Sequence, residues 1–154
     1  MTCTSTDMLT AWIPFHDCPV ELGPLMVVDG SHRWNDVDHD QLRRFQDTGL
    51  EEFEQELLRT RPDARISTMT LKRGQISFHN ALALHASRDN VGTRSRQCLA
   101  LHLQDDANRY RPFYNREGQL WEVVADRLCR KDPDGQPDYT DPSVCPTIWP
   151  VAAP

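Results

Sequence analysis

Residues 75–103 read Q-I-S-F-H-N-A-L-A-L-H-A-S-R-D-N-V-G-T-R-S-R-Q-C-L-A-L-H-L and hold His79, His85, Arg96 and His102 within one short stretch. Neutral imidazole is a common ligand for iron, zinc or copper. The planar fork of arginine suits a carboxylate held bidentately. A metal ligand facing a carboxylate anchor is the pattern of a site where an organic diacid chelates a metal. A symmetric hairpin centred between Asn90 and Val91 sets His85 opposite Arg96, Ala83 opposite Cys98, Ala81 opposite Ala100 and His79 opposite His102. Side chains alternate along a strand, so these share one face. The other face carries Leu82, Leu84, Leu99, Leu101 and Leu103 and is expected to pack dry. On spacing alone the bland alternative stays open, with His85 a hydrogen-bonded interior histidine and Arg96 a rim charge.

The elements that must position this segment are mostly strands. Residues 9–15, L-T-A-W-I-P-F, put Leu9, Ala11, Ile13 and Phe15 on one face and Thr10, Trp12 and Pro14 on the other. Pro14 marks an edge, a bulge or an end. Residues 25–28 form a short buried strand that Asp29-Gly30-Ser31 breaks. Leu42, Phe45, Leu50, Phe53 and Leu57 recur at helical spacing, which predicts two short helices within residues 36–61, split near Gly49 and ended by Pro62. A strand is expected over residues 66–71, a turn at Lys72-Arg73-Gly74-Gln75, one long β run over 75–87 and another strand over 95–104. Residues 120–129 offer an amphipathic helix, and the proline-rich stretch from 133 onward is expected to wrap the surface or fray.

Composition bounds the rest. At 154 residues the chain is one domain's worth and long enough to bury a core without staples. A net charge of −6 argues against a surface built to neutralise nucleic-acid phosphates. Mean hydropathy is −0.63, and no apolar run has the length of a membrane span. The first residues lack the basic and apolar regions of a secretory signal. The five cysteines are odd in number and widely spaced, with no C-x-x-C pair, so a disulfide framework or cysteine zinc site is not expected. A cytoplasmic protein with reduced thiols, binding neither nucleic acid nor membrane, fits this composition.

Three stretches resemble the phytanoyl-CoA dioxygenase family of non-haem Fe(II)/2-oxoglutarate oxygenases. Leu9-Thr10-Ala11-Trp12-Ile13-Pro14-Phe15 is similar to the family's L-T-A-W-I-A-L strand. Leu25-Met26-Val27-Val28-Asp29-Gly30-Ser31-His32 echoes an apolar strand followed by P-G-S-H, with Asp29 in place of the proline. Residues 74–103 resemble G-D-x-x-F-F-H…H-G-S…N…R-x-A-L-A-L. The resemblance implies a mainly β fold with flanking helices, a double-stranded β-helix of the jelly-roll, cupin-like kind. It also implies a facial triad of two histidines and a carboxylate holding Fe(II). Carried over residue by residue, His85 would be the distal iron ligand and Arg96 the clamp on the remote carboxylate of 2-oxoglutarate. Ser87 and Trp12 would help line that pocket. The reaction implied couples oxidative decarboxylation of 2-oxoglutarate by O₂ to hydroxylation of a small organic substrate. His32, His79 and His102 are read as structural or pocket-lining groups.

One departure matters. The family's other two ligands come as H-x-D just before the L-T-A-W strand, and none of the six histidines here begins H-x-D or H-x-E. His16-Asp17 and His39-Asp40 are adjacent pairs, which point to opposite faces of a strand. The expectation is a fold incomplete at its N-terminus, with residues 1–110 the C-terminal part of an oxygenase domain carrying a helical insertion at 36–61. Residues 111–154 are then a terminal helix and proline-rich tail. Such a chain should bind Fe(II) weakly or not at all and be inactive alone. A different class remains: a catalytically dead β-helix remnant that keeps the arginine pocket for a small carboxylate or acts as an interaction module. A third is a cupin-like metal enzyme using His79, His85 and His102.

Overall fold

The computed structural model describes residues 2–36, 49–114 and 118–149. The first of the two helices expected within 36–61, with Leu42 and Phe45, lies outside the described residues. The chain divides into two compact units, Met8–Leu103 and the pair of segments Met1–Asp7 and Gln104–Pro154.

The unit Met8–Leu103 is built on two antiparallel three-stranded sheets. Its elements are β1 (Leu9–Pro14), β2 (Leu25–Val28), α1 (Leu50–Thr60), β3 (Ile66–Thr68), β4 (Ser77–Asn80), β5 (His85–Ser87) and β6 (Cys98–Leu103). One sheet has the order β4-β1-β6 and the other β3-β2-β5. In the first, β1 aligns Thr10 with His79 on one side and with His102 on the other, and Trp12 with Ser77 and Ala100. In the second, β2 aligns Leu25 with Ser87 and Val27 with His85.

The two sheets share a core. Trp12 from β1 packs with Leu25 from β2, Cys18 and Leu22, and Val27, Met69, Leu71 and Cys98 close around them. The opposite face of β2 is also covered, since Val28 packs with Leu84 and with Leu57 of α1, alongside Phe53, Trp34 and Ile66. A strand buried on both faces reads as a continuous apolar run, which is what L-M-V-V is. In α1, Phe53 and Leu57 supply the inward stripe, while Glu51, Glu52 and Arg59 stay on the solvent side.

The symmetric hairpin is not formed. The long β run expected over 75–87 breaks into β4 and β5, which belong to different sheets, and neither pairs with β6. Asn80 makes the break: its side-chain Oδ1 accepts the Leu82 N–H at 2.8 Å and its carbonyl accepts the Ala83 N–H at 2.9 Å. A side chain that caps its own turn in this way ends a strand without glycine or proline. β1 then lies between the two strands that were expected to face each other. The leucine face is not dry either. Leu84 enters the core against α1, but Leu99 and Leu101 are 41% and 44% exposed.

The second unit carries β7 (Phe113–Tyr114) paired with β8 (Leu120–Trp121) and a single-turn α2 (Val124–Leu128). The helix expected over 120–129 is thus half strand. Asp126 sets its start by accepting the Val123 N–H at 2.8 Å, and residues before it stay extended. Among the described residues, the proline-rich stretch beyond is pinned through the buried Tyr139 and Asp141. Asp141 accepts the Arg130 N–H at 2.7 Å and Tyr139 bonds Thr2 at 3.0 Å. Burial first, then the neighbouring Cys145, pushes the Cys129 thiol up to about 11.

Candidate functional site

The polar side chains of the first unit converge on the space between its two sheets. Directly paired residues of an antiparallel ladder point to the same side. Thr10, Trp12, Ser77, His79, Ala100 and His102 therefore share the inward face of β4-β1-β6, because Trp12 lies in the shared core. By the same rule His85 and Ser87 share the face of Val27 and Leu25, which pack against that core from β3-β2-β5. Two sheets thus present the groups that one hairpin was expected to present. The site is open along one side, where His85, Ser87, Ala100 and His102 are exposed.

His85 is oriented by the turn that precedes it. Its Nδ1 lies 2.8 Å from the Ala83 carbonyl, which can only accept, so Nδ1 carries the proton and Nε2 keeps its lone pair. An imidazole tied through one nitrogen to a backbone carbonyl is oriented as metal-binding histidines are. That turn is itself anchored by Ser31, a fully buried hydroxyl at the end of β2. Ser31 Oγ donates to the Val28 carbonyl at 2.7 Å and accepts the Leu84 N–H at 2.9 Å, one residue before His85. The sequence signal was present in Asp29-Gly30-Ser31-His32, but a turn serine does not announce which distant amide it will hold. His32 lies in the single 3₁₀ turn Ser31–Arg33, on neither sheet.

His79 sits across from His85, with ring centroids 4.7 Å apart and planes tilted by 50°. It is buried, and burial, followed by the His85 and His102 charges, holds its pKa below the ordinary histidine value. Its Nδ1 has no hydrogen-bond partner, nor does the buried Oγ of Ser77 two residues earlier on the same face. His102 is engaged through Nδ1 with Thr10 Oγ1 at 3.0 Å.

Arg96 precedes β6 and is half-buried. It does not face His85 across a hairpin. Its guanidinium donates to the Gly23 carbonyl and acts on Cys18, whose thiol burial pushes up and Arg96 pulls down. Cys18 packs with Trp12, so Arg96, Trp12 and the Leu25 partner Ser87 gather around the same core cluster. Gly23 itself is held to glycine by its φ of +61° and by the Arg88 backbone, whose carbonyl oxygen a Cβ there would meet at 2.2 Å.

Residues 3–98 match the family described as Phytanoyl-CoA dioxygenase (PhyH). The chain belongs to the phytanoyl-CoA dioxygenase family. Solved structures agree in fold with this phytanoyl-CoA dioxygenase family member. The non-haem alpha-ketoglutarate-dependent carbocyclase SnoK from nogalamycin biosynthesis superposes with a TM-score of 0.59 at 23% identity, over 89% of this chain and 48% of that one. The alpha-ketoglutarate-dependent epimerase SnoN from the same biosynthesis gives 0.52 at 26% identity, over 70% of this chain and 36% of that one. A structure of SnoN with Fe3+, alpha-ketoglutarate and nogalamycin RO gives 0.51 at 30% identity, over 70% and 40%. The chain therefore spans less than half the length of each of these neighbours. No curated protein matches it.

Iron is the metal this family implies, and the residues present fit it only in part. His85 offers an oriented Nε2, but the sequence holds no H-x-D. Among the described residues no group of three or more His, Cys, Asp or Glu side chains converges to hold a metal ion. Among these residues the cupin-like triad of His79, His85 and His102 is accordingly not assembled. Also among the described residues, no helix is long and apolar enough to cross a membrane.

Proposed function

We propose that this chain carries the distal half of an Fe(II)/2-oxoglutarate oxygenase site. In this reading the two sheets are halves of a double-stranded β-helix spanning residues 1–110 with the helical insertion at 36–61. Residues 111–154 form an appended helix and proline-rich segment. His85 is one iron ligand, Arg96 binds the remote carboxylate of 2-oxoglutarate, and Ser87 and Trp12 line that pocket. The substrate is a small organic molecule, hydroxylated in the cytoplasm, with no nucleic acid or membrane as partner.

The observation that carries the reading is His85. Its Nδ1 is committed to the Ala83 carbonyl while the side chain faces the inter-sheet space that Trp12 closes, with Arg96 beside the same cluster. Arg96 spends one N–H on Gly23, and a guanidinium has four more to offer a carboxylate. With one ligand of three in these 154 residues, iron is held weakly and no turnover is expected from them alone.

A second reading is favoured by the incomplete donor set: a small-carboxylate-binding module that has lost oxygenase chemistry. Anaerobic addition of Fe(II) and 2-oxoglutarate tests the incomplete donor set on which both readings rest, because chelation of iron by the oxo acid produces a visible charge-transfer band. The expected result is no band for these 154 residues. A strong band would show that the donor set is complete after all and would remove both the predicted inactivity and the second reading.

A further inference from the structure

We propose that His79 and His85 form a two-imidazole site for a borderline divalent transition ion, Zn²⁺ or Cu²⁺, with water filling the remaining positions. The two rings come from different sheets, joined through the Asn80 turn, and their centroids are 4.7 Å apart at a 50° tilt. At that separation both rings are within reach of a single ion, and the tilt excludes parallel stacking.

Each ring has a lone pair to give. His85 keeps Nε2 free because Nδ1–H is donated to Ala83. His79 is 8% exposed, and its Nδ1 is a buried polar atom without a hydrogen-bond partner. A buried polar atom left unsatisfied is rare and calls for an occupant that the polypeptide does not supply. Ser77 Oγ, unpartnered two residues earlier on the same inward face, provides a place for a hydrogen bond to an ion-bound water.

The chemistry of the pair selects the ion. Two neutral imidazoles without a converging carboxylate suit zinc or copper, whereas magnesium, calcium and manganese favour oxygen donors. His102 is not counted in the site, because among the described residues no group of three such side chains converges. This site shares His85 with the oxygenase reading but requires neither H-x-D, 2-oxoglutarate nor Arg96. The two ideas can therefore fail separately.

The test is titration of the full 154-residue chain with Zn²⁺ alone, without iron or 2-oxoglutarate. The wild type is expected to take up one ion per chain. His79→Gln and His85→Gln should each weaken binding by roughly tenfold or more, in the range that loss of a supporting group already costs. His102→Gln should stay within about twofold, and Arg96→Met should bind Zn²⁺ as the wild type does. Unchanged binding in His79→Gln, or an equal loss in His102→Gln, overturns the proposal. Circular dichroism of each variant reports whether it is folded. Should His79→Gln not fold, Cu²⁺ electron paramagnetic resonance of the wild type decides: coupling to two imidazole nitrogens supports the site, and any other count overturns it.

Discussion

In the unit made of Met1–Asp7 and Gln104–Pro154, buried polar side chains find one another. Tyr139 donates to the wholly buried Asp126 carboxyl and bonds Thr2, and Asp126 also accepts the Val123 N–H. Asn108 accepts from the backbone of Thr4 and Ser5 and donates to Gln104, which donates in turn to the Tyr139 carbonyl. Asp105 is the partial exception, with Oδ2 bonded to Ser5 and Oδ1 unpartnered. In the unit Met8–Leu103, by contrast, the buried Ser77 Oγ and His79 Nδ1 are unpartnered, and His85 engages Nδ1 while leaving Nε2 unengaged. The contrast separates two uses of buried polarity. A satisfied network specifies local structure, while polar atoms held rigid but unmatched are available to a ligand.

That contrast can be broken from either side. The largest effect is expected from Asp126→Ala, which strands the Tyr139 hydroxyl and the Val123 N–H and should cost about 3 kcal/mol, read from the urea midpoint. A loss close to zero would mean that the network does not hold its unit together. Gly23→Ala is next, at about 2 kcal/mol, because it combines positive φ with a collision against the Arg88 carbonyl. The same variant should weaken 2-oxoglutarate binding, since Arg96 leans on the Gly23 carbonyl. Ser31→Ala should cost about 1–2 kcal/mol by releasing the Leu84 N–H, and it should disturb the His85 imidazole resonances without touching the ring.

A subtler effect is expected from pH. Because His79 titrates lower when folded than its unfolded value of about 6.5, the unfolded chain binds more protons below that pH. Stability from this group is therefore complete above about pH 6.5 and declines as pH falls through the depressed folded value. His79→Gln should flatten that part of the stability–pH curve, and an unaltered slope would assign the proton uptake to other groups. At the small end, Arg59→Ala breaks only the exposed pair with Glu56 and should leave the urea midpoint where it is.

Much of the architecture was legible in the chain itself, for reasons that differ by element. The alternation of residues 9–15 set the two faces of β1, and the inward row of Thr10, Trp12 and Pro14 was read correctly as a set. The unbroken apolar run at 25–28 marked a strand covered on both sides. What misled was residues 75–87, where alternation continues straight through a turn. Ala81 to Leu84 carry no glycine or proline, and the turn rests on Asn80 bonding its own neighbours. Once that turn is missed, the loop at Asn90 invites a local hairpin, whereas the strands pair with distant β1 and β2. The set of inward histidines survived this error because sheet exchange preserved the side to which His79, His85 and His102 point. The orphaned atoms of Ser77 and His79 left no sequence signal, since satisfaction of a polar group is decided by neighbours remote in the chain.

The central claim is that the inter-sheet space of Met8–Leu103 is a site for 2-oxoglutarate anchored by Arg96. Isothermal titration of 2-oxoglutarate into the wild type and Arg96→Met tests it most directly. The account predicts saturable binding by the wild type and a loss of roughly tenfold or more in Arg96→Met, in keeping with removal of a charge-assisted contact. Equal affinity in a folded Arg96→Met variant would contradict it.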